Sequence, residues 1–333
     1  LIGFDTTSRG SNLALIEWVE AYLAELGVAS RRVPNADGTK ANLLATIGPN
    51  VAGGVVLSGH TDVVPVDGQA WSSDPWTLTE RGGRLYGRGT CDMKGFSALA
   101  LAAAPLMIAR GLTRPVHLAL SYDEEVGCLG APDLIAAILK EVPPPSAVIV
   151  GEPTNMEAVR GHKGIATFRV TVTGVEAHSS LTHLGVSANM AAIPLMNALA
   201  ELSQGLEAAA DPASPFAPKG CTLTIGQING GTAPNILARE CVFVFDLRTP
   251  PGVKPAEVLA EFVALVEHTD AALKAGFPEA GVVFEKRAST PALSPEDDGA
   301  AETLARTLSG DNGPSRVVSY AAEAGQFREA GFS

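Results

Sequence analysis

The chain has 333 residues, 46% hydrophobic and 18% charged, a globular composition too apolar for a disordered segment and long enough for about two domains of roughly 150 residues. Its 24 Lys+Arg against 36 Asp+Glu leave a net charge of −12, and no stretch carries the clustered basic residues that a phosphate backbone recruits, so no nucleic acid partner is expected. The longest apolar run, residues 98–109, contains Pro105 and falls short of the roughly 18 residues that cross a bilayer, so no membrane partner is expected either.

Ile16, Val19, Leu23 and Leu26 recur at helical spacing and stop at Gly27, which predicts a first helix. Residues 55–58, 116–121 and 147–150 are continuous apolar runs, as expected of strands covered on both faces. Between the first two, residues 95–110 predict a buried, alanine-rich helix. Strands alternating with helices predict an α/β domain with a mainly parallel sheet. From Ile165 the pattern changes: Phe168, Val170 and Val172 alternate with Arg169, Thr171 and Thr173, the signature of a sheet with one solvated face. A helix over 187–206, strands over 222–228 and 241–248, a helix opened by Pro255 and a strand at 282–284 complete a βαββαβ order, the ferredoxin-like arrangement. The expected division is therefore a catalytic domain of residues 1–163 and 286–333, interrupted by an inserted lid or dimerisation domain of residues 164–285. Both ends look cut. The four cysteines form no CxxC pair and read as reduced thiols, which fits a cytoplasmic location.

Ligands in open α/β sheets bind outside the carboxyl ends of the strands. His60 closes the first apolar run, Glu124 and Glu125 follow the second, and Glu152 follows the third. Asp92 stands between the glycine-punctuated stretch Tyr86-Gly87-Arg88-Gly89 and the buried helix. Each alone is ordinarily a cap or a satisfied polar group. Together they are a crowd of carboxylates that would repel strongly without a cation among them, and histidine plus carboxylate oxygens without cysteine suits a catalytic Zn²⁺ or similar ion. Asp62, two residues after His60, is placed to accept the other imidazole N–H. Neighbouring side chains on an extended segment point apart, so of Glu124 and Glu125 one can ligate while the other serves as general base. His117, inside an apolar strand, reads as a hydrogen-bonded core residue.

Gly59-His60-Thr61-Asp62-Val63-Val64-Pro65, Tyr86-Gly87-Arg88-Gly89-Thr90-Cys91-Asp92-Met93-Lys94-Gly95, Asp123-Glu124-Glu125-Val126-Gly127 and Gly151-Glu152-Pro153-Thr154 resemble, in order and spacing, the four metal motifs of the dinuclear-zinc metallopeptidase/aminoacylase family. The resemblance implies two Zn²⁺, for which Co²⁺ can substitute. It implies that His60 and Glu152 bind one ion, Asp92 bridges both and Glu125 binds the other, with Glu124 as general base and Asp62 as the orienter of His60. In the inserted domain, Gly174-Val175-Glu176-Ala177-His178-Ser179-Ser180 resembles the segment whose histidine stabilises the oxyanion in the partner subunit of a homodimer, and Asn235 and Arg248 fall on segments that hold the substrate carboxylate.

Arg160-Gly161-His162-Lys163-Gly164 and Tyr320-Ala321-Ala322-Glu323-Ala324-Gly325 resemble the acetylornithine deacetylase branch, which belongs to arginine biosynthesis. The reaction this implies is hydrolysis of N2-acetyl-L-ornithine by a metal-bridging water with a glutamate base, and Glu323 is expected either to pair with the ornithine ammonium or to be a surface glutamate at a turn. Another N-acyl-amino-acid deacylase, a succinyl-diaminopimelate desuccinylase, a dipeptidase or a carboxypeptidase shares the same site, and a non-catalytic binding homologue is the reading from a different class. One departure stands out. The family's second ion takes a histidine from a segment close to the C-terminus, and no histidine follows His268 here.

Overall fold

Residues 1–333 are described by a computed structural model. In chain order, α1 (Leu13–Glu25) leads to β1 (Ser30–Pro34), β2 (Ala41–Ile47), β3 (Val55–His60), β4 (Thr79–Arg81), β5 (Arg84–Tyr86), α2 (Lys94–Arg110), β6 (Val116–Ser121), α3 (Ala131–Glu141) and β7 (Ala147–Val150). Then come β8 (Val159–His162), β9 (Gly164–Thr173), α4 (Ala188–Ala208), β10 (Thr222–Gly230), β11 (Glu240–Thr249), α5 (Pro255–Val258), α6 (Ala260–Gly276) and β12 (Gly281–Thr290). The last elements are α7 (Ala300–Ser309), β13 (Arg316–Val318) and α8 (Ala324–Glu329). The chain forms two units, one of Leu1–Gly161, Leu293–Arg316 and Ala322–Ser333, the other of His162–Ala292 and Val317–Ala321.

The first unit is built on a five-stranded sheet in the order β1-β2-β6-β3-β7. Successive residues of a strand face opposite sides, and both sides are covered. Leu118 and Leu120 of β6 join α1 and α2 in one core cluster, while Ala119 joins Val56, α3 and Phe327 in another. Two covered faces explain why these strands read as unbroken apolar runs. The parallel part of the sheet is β6-β3-β7. An antiparallel hairpin, β1 with β2, and the antiparallel β2-β6 pairing extend it, which the apolar runs alone did not reveal because β1 is half polar. His60 ends β3, Ser121 ends β6 and Val150 ends β7 in parallel register, so the loops that follow start from one edge of the sheet. Gly151 opens the last of these loops beside the Phe96 ring. A Cβ there would lie 2.1 Å from the ring, so only glycine lets the chain pass.

The second unit is a four-stranded antiparallel sheet in the order β10-β11-β9-β12, which is the ferredoxin-like order. Its core lies between the sheet and the helices α4 and α6, where Phe168, Phe245, Phe262 and Phe284 stack or meet edge to face with centroids 5.1–6.3 Å apart. The helix expected from Pro255 is interrupted: α5 ends at Val258, and Leu259, 1% exposed, turns inward before α6 begins. β10 is an outer strand whose residues 226–230 are exposed.

Candidate active site

His60 is 1% exposed. Its Nε2 lies 2.9 Å from Asp92 Oδ1 and 3.9 Å from Glu152 Oε1. Its Nδ1 is 2.9 Å from the Asp62 carbonyl oxygen and 3.6 Å from the Asp62 carboxylate. Asp62 thus meets the ring with both its backbone carbonyl and, at longer range, its carboxylate. That carboxylate also accepts hydrogen bonds from Ser8 Oγ at 2.7 Å and from the backbone N–H of Glu124 at 3.0 Å and Glu125 at 3.3 Å. One buried aspartate therefore holds both the histidine and the loop that carries the two glutamates.

Ligand-type atoms converge in two groups, His60 with Glu124 and Glu152, and His60 with Asp92 and Glu125, each within 4.8 Å. His60 is common to both groups. His60 is the one basic group among them and the carboxylates gather on it. Burial works against its imidazolium, yet the bonds to Asp62 and Asp92 outweigh burial and hold its pKa well above the ordinary histidine value. Burial, opposed by His60 and reinforced by Glu152 and Glu323, pushes the Glu124 carboxyl up to about 8. Burial and Asp92 push Glu125 to about 7, and burial again carries Glu152 to about 7.

These shifts set a pH dependence. Each of the three carboxyls holds its proton more tightly in the folded chain than at the ordinary value of 4.5, so the folded state binds more protons and stability falls as pH rises from 4.5 toward about 8. Asp62, whose carboxyl is held low, contributes the opposite sign only below 3.8, outside that window. The chelator-treated protein is expected to lose roughly 5–10 °C in Tm between pH 5 and pH 8, the size of a few kcal/mol in a chain of this length, and saturating divalent metal is expected to abolish the loss. A Tm that rises over this interval in the chelated protein would contradict the burial of these three acids.

Glu323, at the N-terminus of α8, is 1% exposed, which corrects the reading of a surface glutamate at a turn. Ser58 Oγ donates to its Oε2 at 3.4 Å, its Oε1 has no hydrogen-bond partner, and burial raises its pKa. Its charge is felt by both Glu124 and Glu152, so it belongs with the same cluster. His117 is fully buried with Nδ1 2.9 Å from Thr46 Oγ1, the expected core histidine. The sequence reading missed Lys40, whose Nζ pairs with Asp123 Oδ1 at 2.5 Å and also reaches the Ser8 carbonyl, tying down the start of the Glu124 loop. No local pattern marks such a lysine.

His178, Asn235 and Arg248 belong to the second unit. His178 and Ile236 form a β-bridge and the Asn235 carbonyl accepts from Ser179 N at 2.9 Å, so two segments far apart in sequence lie side by side. The His178 ring is exposed, with Nδ1 2.8 Å from Ser180 Oγ. Arg248 on β11 uses Nε to bond Asp246 Oδ1 at 2.8 Å.

Residues 160–273 match the peptidase dimerisation domain. The chain is 36% identical over 276 residues to the acetylornithine deacetylase of Proteus mirabilis, an alignment covering 82% of this chain and 69% of that one. The chain belongs to the M20 metallohydrolase family. The acetylornithine deacetylase of Myxococcus xanthus is 39% identical, with 78% of this chain and 67% of that one aligned, and that of Yersinia pestis 38%, with 75% and 64%. The chain thus spans about two thirds of these relatives' length. The M20 fold itself is shared with an M20 family metallo-carboxypeptidase from Sulfolobus solfataricus, at TM-score 0.74 and 16% identity over 98% of this chain and 86% of that one. Human carnosine dipeptidase 1 superimposes at TM-score 0.73 with 16% identity, covering 98% and 85%. No helix is long and apolar enough to cross a membrane.

Proposed function

We propose that this M20 metallohydrolase removes the acetyl group from N2-acetyl-L-ornithine. The observation that carries the reading is the placement of the Glu124 carboxylate, gathered with His60 and Glu152 within 4.8 Å, where it can accept a proton from an attacking water. The relatives named acetylornithine deacetylase, at 36–39% identity, support the substrate.

The donor set fits divalent metal. Glu152 Oε1 is buried without a hydrogen-bond partner, and one imidazole nitrogen with several carboxylate oxygens and no thiolate suits Zn²⁺, with Co²⁺ as a substitute. In this reading His60 and Glu152 would hold one ion and Glu125 the other, with Asp92 as a ligand shared by both. Such ions, when bound, polarise the scissile carbonyl and acidify the attacking water. The chain's own residues do the rest. Asp62 fixes the His60 ring and, through the N–H groups of Glu124 and Glu125, the loop beside it. Glu124 accepts the proton of the attacking water at its carboxylate and returns it to the departing amine. Arg248 and Asn235 hold the substrate carboxylate, and His178 donates to the developing oxyanion in the partner copy.

A homodimer through the second unit suits this role for His178. The matched dimerisation domain leaves β10 as an unpaired edge, with Ile228 58% exposed on it and Met190 and Ile193 exposed on α4, which packs against β10. A two-fold partner would cover this apolar edge.

The test is turnover of N2-acetyl-L-ornithine against N-succinyl-diaminopimelate and dipeptides, with acetylornithine expected to be the best substrate. Glu323, the buried carboxylate with an unpartnered oxygen, is assigned to the ornithine ammonium. Glu323→Gln is then expected to lower kcat/KM for acetylornithine by about 30-fold, the scale of losing one partner of a desolvated ion pair, and for the neutral N-acetyl-norvaline by less than about threefold. Equal losses on the two substrates would remove Glu323 from side-chain recognition. Turnover of none of these compounds by the metal-loaded protein would favour the binding homologue.

A further inference from the structure

The Glu124 loop carries a second restraint besides Lys40 and Asp62. Asp123 and Cys128 both have positive φ, 57° and 55°, a conformation that residues other than glycine seldom adopt and that persists only where the surroundings enforce it. Between them the chain closes a tight turn, with Gly127 N and Cys128 N donating to the Glu124 carbonyl at 3.0 and 2.9 Å. Lys40 and Asp62 hold its first half. The second half is held from the other end of the chain: Gln326 Nε2 donates to the Cys128 carbonyl at 3.1 Å, across 198 residues of sequence. The Cys128 thiol, 2% exposed, in turn donates to Glu124 Oε1 at 3.4 Å.

Gln326 is itself fixed. It lies in the first turn of α8, where its N–H bonds the Glu323 carbonyl at 2.9 Å. The same helix is anchored by Phe327, 2% exposed, which meets Phe332 edge to face at 5.8 Å within the core against α3. α8 is therefore linked to the Glu124 carboxylate by a hydrogen bond to the Cys128 carbonyl, the covalent frame of Cys128, and a second bond from its thiol.

We infer that Gln326 and Cys128 are positioning residues for Glu124, with Gln326 fixing the Cys128 turn and the Cys128 thiol fixing the direction of the Glu124 carboxylate. The inference rests on the reading of Glu124 as the general base. Backbone bonds from Asp62 fix where the Glu124 main chain lies, but they leave its side-chain torsions free. The thiol is the donor that selects one of them. Displacing a reacting group by about 1 Å costs on the order of 100-fold in rate, and loosening one restraint costs a fraction of that.

Gln326→Leu, which keeps the bulk and removes the donor, is expected to lower kcat on acetylornithine about 5- to 20-fold, with KM changed less than about twofold and metal content unchanged. Cys128→Ala should do the same, and Cys128→Ser, which keeps a donor, should recover most of the loss. Because the two act in one line, the double variant Gln326→Leu/Cys128→Ala should be no slower than the slower single variant. A second readout does not need turnover: the S–H infrared band of Cys128, identified by difference against Cys128→Ala, should shift toward that of an unbonded thiol in both Gln326→Leu and Glu124→Ala, the latter removing the acceptor. Wild-type kcat in Gln326→Leu, losses that multiply in the double variant, metal loss that parallels the fall in kcat, or a thiol band indifferent to Gln326→Leu would each overturn the inference. An inactive wild-type protein would overturn the function proposed above, while the thiol band would still decide the role of Gln326.

Discussion

Glu124→Gln is expected to lower kcat by about 10²- to 10⁴-fold, the usual scale for removing a general acid or base, while the protein folds and keeps its metal. The amide preserves the shape of the side chain and can accept the Cys128 thiol bond, but it cannot take a proton from water or give one to the amine. Because the role falls in the transition state and not in binding, kcat and kcat/KM should fall together and KM should change little. Steady-state kinetics with a metal count on the same preparation checks this. A variant that retains near wild-type turnover would show that another group takes the proton.

Asp92→Ala is expected to act on metal and not on the proton. Asp92 Oδ1 already lies 2.9 Å from His60 Nε2 and groups with Glu125, and in the proposed arrangement it is the carboxylate shared by both ions. Its removal is expected to weaken metal binding by more than about 100-fold, beyond what loss of a supporting outer-shell group costs, and to reduce activity to background with both ions gone. Metal content after desalting and calorimetric titration with Zn²⁺ separate this from Glu124→Gln, which keeps its ions. Two ions retained by Asp92→Ala would place the shared ligand elsewhere, and His60, common to both groups of ligand atoms, is then the residue to test.

Much of the architecture was legible in the sequence because it rests on local periodicity. The apolar runs that became β3, β6 and β7 and the period-2 alternation along β9 follow from which faces of each strand are covered, and that pattern is written in consecutive residues. The acids and the histidine could be placed at strand ends for the same reason. Other features were decided only by tertiary structure. The β1-β2 hairpin is half polar and gains its place by pairing with β6 through β2. The interruption at Leu259 depends on a core that the helix pattern does not describe. Glu323 looks like any polar residue in a turn, yet it is buried and meets Ser58 across 265 residues. The Lys40 pair with Asp123 and the Gln326 bond to Cys128 span 83 and 198 residues. Periodicity reports which side of an element is covered, not which distant side chain covers it; that choice is made when the packed elements bring donors and acceptors within hydrogen-bond reach.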